Sequence, residues 1–138
     1  MANEVLVQRV KAIISVGKAD GLDSSYQGYR DLFADPAFLT YRPEDQRQAL
    51  RLMVLAKNAP RSATPAMHEA HAAALMPLTE LVSTYGEPSD HELLGVCHLF
   101  LGHEQAASSI LRAGLAIERE RNAQSDLCGE LMKRVSLI

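Results

Sequence analysis

Two cysteines, Cys97 and Cys128, are all that the 138 residues hold, and they match neither a disulfide framework nor a zinc-ligand spacing. No run approaches the 18 consecutive apolar residues of a membrane span. The first residues, MANEVLVQRVKAII, mix charge with apolar side chains, whereas a signal peptide has a basic start and an unbroken apolar stretch. A cytoplasmic location is therefore expected. Clustered Lys and Arg are scarce and the net charge is -3, which argues against nucleic acid as the main partner. Glycine-rich phosphate loops, nucleophile elbows and paired catalytic carboxylates are missing too, so no enzymatic activity and no cofactor are expected. What is present is an ordinary globular composition, 47% apolar and 22% charged, in a chain of about one domain's length. Residues 1–138 are accordingly read as a single domain.

The apolar periodicity is helical nearly throughout, and no stretch combines strand alternation with a turn dipeptide, so the fold class is all-α. A first helix is expected over about Asn3 to Val16, with Leu6, Val10, Ile13, Ile14 and Gly17 on one stripe and a turn from Gly17 to Gly21. A second starts near Asp23 or Ser24, where Ser24 and Gln27 form a capping box, and turns Tyr26, Tyr29, Leu32 and Phe33 inward until Pro36 ends or resets it. The third begins at Pro43 and runs through Leu55, apolar around most of its circumference. After a loop from Asn58 to Ala63, Thr64 caps a fourth helix that opens on Pro65 and reaches Tyr85. Pro77 lies inside it and predicts a kink or short break, since an interior proline costs roughly 3 kcal/mol unless the helix bends. Ser89 and Glu92 mark a capping box for a fifth helix that stops at Gly102. The sixth spans about Glu104 to Arg121. The last, about Asn122 to Ser136, buries Leu127, Leu131 and Val135 and exposes Glu130, Lys133 and Arg134. Seven helices on short turns predict stacked antiparallel hairpins.

Within this pattern, Ser89 to Arg121 resembles a tetratricopeptide repeat, a helix-turn-helix unit of about 34 residues. Leu94-Gly95 correspond to the Leu-Gly of the first helix, Leu101-Gly102 to the inter-helix turn, and Ala107 to the small residue near the start of the second helix. Leu111, Gly114 and Leu115 follow its large, small, large sequence. Gly95 and Ala107 then fall where the helices cross, a place at which a larger side chain would force the axes apart. The pattern departs at His91 and His98, where the consensus has aromatics, and at Arg119, where it has proline. The resemblance covers about a quarter of the chain. It implies a tetratricopeptide-like superhelix of about seven helices closed by a C-terminal capping helix; an irregular helical bundle is the competing fold.

Residues 62–111 contain all five histidines and six acidic residues but no Lys or Arg. That asymmetry marks an acidic surface for a basic or amphipathic partner helix, or a solvated face shared among outward helix sides. His68 and His71 stand three apart, a spacing at which two imidazoles can share a metal, but no third ligand is identifiable and none is expected to bind. His91 and His98 are expected to pack between helices, where protonation would loosen the stack. Cys97 beside His98 is read as a buried thiol, since adjacent helical residues point about 100° apart and do not form a nucleophile–base pair. Arg42, Arg47, Arg51 and Arg61 form the basic cluster, suited to a carboxylate or phosphate or to local salt bridges.

The resemblance implies protein binding, and the reading is a non-enzymatic adaptor or chaperone that holds a peptide or partner helix in a concave groove. The groove side of the fifth helix presents Glu92, Leu93, Val96, Leu99 and Phe100. An acidic rim beside that apolar floor suits an amphipathic helix with basic flanks. Many family members grip a C-terminal carboxylate with an Asn after the Leu-Gly pair; Val96 stands there, so no such clamp is expected. Compact bacterial tetratricopeptide-like proteins of similar length include secretion chaperones, an analogy of architecture. The alternative is a structural or regulatory subunit that docks or dimerises through the apolar third helix, as a monomer or homodimer.

Overall fold

The computed structural model describes residues 2–56 and 62–138. Part of the Asn58 to Ala63 loop, and Arg61 of the basic cluster, therefore lie outside the described residues. Those residues are all-α: α1 (Ala2–Asp20), α2 (Leu22–Ala34), a 3₁₀ turn (Pro36–Thr40), α3 (Pro43–Val54), α4 (Pro65–Tyr85), α5 (Pro88–Phe100), α6 (Glu104–Asn122) and α7 (Asp126–Ser136). Two compact units divide the chain, Met1–Pro77 and Leu78–Ile138. The division falls at Pro77, the interior proline of α4, and the helix carries no break there.

In the N-terminal unit α1 packs chiefly on α2 and only sparsely on α3. Gly17 does not end α1. It stays helical and lets Ser25 of α2 approach, since a Cβ there would meet the Ser25 Cβ at 2.9 Å. The chain turns instead at Gly21, whose φ of 101° is a conformation that penalises a β-carbon. Starting α2 at Leu22 puts Ser24 inside the helix, so the expected Ser24–Gln27 capping box does not form. The inward face is as expected: Tyr26, Tyr29, Leu32 and Phe33 are buried. Pro36 resets the chain into the 3₁₀ turn, whose N-cap Asp35 accepts from the Ala37 N–H at 3.0 Å and from Arg9 at 2.9 Å. Those two donors, the backbone one foremost, hold the Asp35 carboxyl below its usual range. Thr64 caps α4 as expected, accepting from the Met67 N–H at 3.3 Å while its hydroxyl donates to Asp23 at 2.8 Å.

In the C-terminal unit α5 and α6 form the most extensive helix pair, with α7 laid on both. Glycine makes this approach possible. A Cβ on Gly95 would stand 2.5 Å from Leu111 Cγ, and one on Gly114 would stand 2.6 Å from His91 Cβ. Leu111 and Leu115 of α6 meet Cys128 and Leu131 of α7 in a buried cluster flanked by Leu127 and Val135. Two boundaries depart from expectation. Pro88 takes the first position of α5, with its φ already helical, so Ser89 lies within the helix and caps nothing. At the other end Ser125 caps α7 by accepting from the Cys128 N–H at 3.0 Å, so α7 starts at Asp126 rather than near Asn122. The α5–α6 turn closes as a Schellman motif: His103 N–H donates to the His98 carbonyl at 2.9 Å and Gly102 N–H to the Leu99 carbonyl at 3.0 Å, with Gly102 at φ 83°.

Candidate functional site

The groove expected along α5 is only partly open. Glu92 and Leu93, assigned to its partner-facing side, are both buried, at 4% and 1% exposure. Glu92 is turned towards α7, where its Oε2 accepts from Arg134 Nε at 2.9 Å. Arg134, expected on an exposed face, is thereby drawn in until its side chain is 28% exposed. The reason is the position of α5 against both α6 and α7. Asp90, His91, Leu94, Gly95 and Cys97 are buried as well, and no continuous strip of open surface runs along the helix. Val96 and Phe100 are half-buried and Leu99 is exposed, so these three form a short patch near the α5 C-terminus.

The histidines are dispersed by burial. His68 is exposed, whereas His71 is buried and directs its Nδ1 to the Met67 carbonyl at 2.7 Å. A carbonyl only accepts, so Nδ1 carries a proton. Burial, the largest cause, pushes the His71 pKa below its ordinary 6.5. His91 is buried against Gly114, with Nδ1 donating to the Glu87 carbonyl at 2.8 Å. His98 is not between helices; it sits at the α5–α6 turn with its Nδ1 3.0 Å from that of His103, one ring donating to the other. Burial and then the neighbouring His103 lower its pKa. Among the described residues no three His, Cys, Asp or Glu side chains converge as a metal site.

Cys97 is fully buried, and burial pushes its thiol up to about 12. The thiolate that nucleophilic chemistry needs is therefore suppressed. Arg42 is tied to Asp45 at 3.1 Å, so the basic cluster is in part internally paired. Arg51 is exposed at the last turn of α3.

An apolar concave surface lies on the N-terminal unit, between α1 and α3 with α2 at one end. Because these helices touch so little, two apolar clefts remain between them. One, of about 320 Å³, is lined by Ile14, Gly17, Lys18, Leu22, Ser25, Tyr26, Tyr29, Leu52, Met53 and Ala56. The other, of about 140 Å³, is lined by Leu6, Val7, Val10, Lys11, Asp45, Gln48, Ala49 and Leu52. Leu52 lines both, so the two clefts, together the α1–α3 groove, adjoin at its side chain. It is 50% exposed, and Val7 and Ile14 across from it are 42% and 39% exposed. The sequence carried a trace of this surface in the apolar third helix and in Val7, which lies off the Leu6–Val10–Ile13 stripe. Among the described residues no helix is long and apolar enough to cross a membrane. No protein-family model matches the chain, nor does any curated protein or solved structure, so the reading of the groove rests on its own chemistry.

Proposed function

We propose that this protein is a non-enzymatic helical binding module of the cytoplasm, an adaptor or chaperone that holds a helical segment of another protein in the α1–α3 groove. The observation that carries the proposal is the half-exposed Leu52, shared by two contiguous apolar clefts. Apolar side chains left open along some three helical turns match the way grooves take the apolar face of a partner helix. The inert, buried Cys97 and the dispersed histidines favour binding over catalysis. We propose further that α5 and α6 are a tetratricopeptide-like hairpin, a reading supported by the glycine crossings at Gly95 and Gly114.

The test is affinity capture from native lysate with three folded proteins: wild type, Leu52→Asp, and Val96→Arg/Leu99→Asp. The expected result is a protein retained by wild type and by the α5 variant but lost by Leu52→Asp. Equal retention by all three, or by none, overturns the groove assignment. Loss only in the α5 variant returns the site to Val96, Leu99 and Phe100. The groove also admits a second copy of the chain, the dimerising subunit of the alternative reading, and sedimentation of wild type against Leu52→Asp separates the two.

A further inference from the structure

Resting on that reading of the groove, we propose that its occupant is an amphipathic helix of about three turns whose apolar stripe is flanked by acidic residues. Length comes first. From Leu6 to Lys18 the α1 wall rises roughly 18 Å at 1.5 Å per residue, which is three turns of a second helix laid alongside it. Periodicity comes next. Val7, Lys11, Ile14 and Lys18 follow spacings of four, three and four, so they share one face of α1, and all four line the groove. Leu52 supplies the opposite wall. A partner helix presenting apolar residues at i, i+3 or i+4, and i+7 would meet Val7, Leu52 and Ile14 in turn.

Charge selects the flanks. Lys11 and Lys18 are exposed and make no ion pair with the described residues. Among the described residues the one carboxylate lining the groove, Asp45, has a side chain 11% exposed and already engaged by Arg42 at 3.1 Å. The open rim is therefore positive, with two ammonium groups about two turns apart. Carboxylates spaced about seven residues apart on the occupant reach both. A helix with basic flanks, the partner expected for α5, would face like charge here.

The experiment uses the full chain and two fluorescein-labelled synthetic helices of 14 residues, identical in their leucine stripe and carrying either Glu or Lys on the flanks. Fluorescence anisotropy is expected to show the Glu helix bound about tenfold more tightly than its Lys twin, as two ion pairs allow, and weakened by salt. Lys11→Glu/Lys18→Glu reverses that order. Leu52→Asp, with unchanged far-ultraviolet ellipticity, loses both helices. Equal binding of the twins overturns the acidic occupant while leaving the groove reading intact. Binding of neither helix to folded wild type also overturns it, and a Leu52-dependent protein in the capture experiment would then show that the groove reading survives alone. A wild-type dimer abolished by Leu52→Asp assigns the groove to a second copy. Lysine-dependent binding to anionic phosphatidylserine vesicles in place of the Glu helix assigns it to a membrane surface. Either result overturns the proposal.

Discussion

Protonating His71 means placing a charge on a ring that α4 has buried beside Tyr26, whose ring centroid lies 6.4 Å away. The exposed His68 one turn away opposes that charge as well. In the unfolded chain the residue titrates near 6.5, and in the folded one lower. Between those two values the unfolded state holds more protons, so stability is full above about pH 6.5 and is lost as pH falls towards the folded value. The melting temperature of wild type is expected to drop between pH 7.5 and 5.5. His71→Gln is expected to reduce that slope, whatever it does to the absolute melting temperature; an unchanged slope in thermal scans would show that the ring is not held neutral. Residue by residue, the sequence pairs His68 with His71 as neighbours on a helix, and spacing alone supports a shared ligand. It does not reveal that the boundary of the core passes between them. Cys97, by contrast, was readable, because a small thiol within an apolar helix is commonly buried.

Glycines in two helices make opposite demands on a substituted methyl group. Gly95 of α5 faces Leu111 so closely that a Cβ would stand 2.5 Å from its Cγ, while Gly129 of α7 has nothing within 4 Å. Gly95→Ala is expected to destabilise by about 1 to 3 kcal/mol through overpacking, outweighing the gain in helix propensity. Gly129→Ala gains that propensity unopposed and is expected to stabilise by about 0.5 to 1 kcal/mol. Urea denaturation of the pair checks both signs, and a stabilising Gly95→Ala would refute the close crossing. Helix existence was legible from apolar periodicity, but starts were legible only where one signal acted alone. Thr64 had no competitor and caps α4. Ser89 competed with Pro88, whose fixed φ begins the helix two residues earlier and leaves Glu92 free to reach Arg134. Ser24 lost likewise to the Gly21 turn, whose positive φ lets α2 start at Leu22.

Across the whole chain the two units differ in the probes they carry. Tyr26, Tyr29 and Tyr41 are buried in the N-terminal unit, whereas Tyr85, in the C-terminal one, is 49% exposed, and there is no tryptophan. Tyrosine fluorescence thus reports mainly on residues 1–77, while far-ultraviolet ellipticity reports on all the helices. Urea midpoints from the two signals are expected to differ; coincidence would mean that the units unfold as one. The division at Pro77 was half legible, since an interior proline marks a discontinuity but not which contacts fall on either side. The α1–α3 groove was less legible still. Its walls are separated by α2 and the 3₁₀ turn in sequence, and periodicity along one helix does not record the distance to another. Both cysteines, Cys97 and Cys128, are buried within the C-terminal unit, one fully and one at 1% exposure. A thiol-specific alkylating reagent therefore reaches them only when that unit opens, and its labelling rate serves as an intrinsic clock of breathing for one half of the chain, with no residue added or removed.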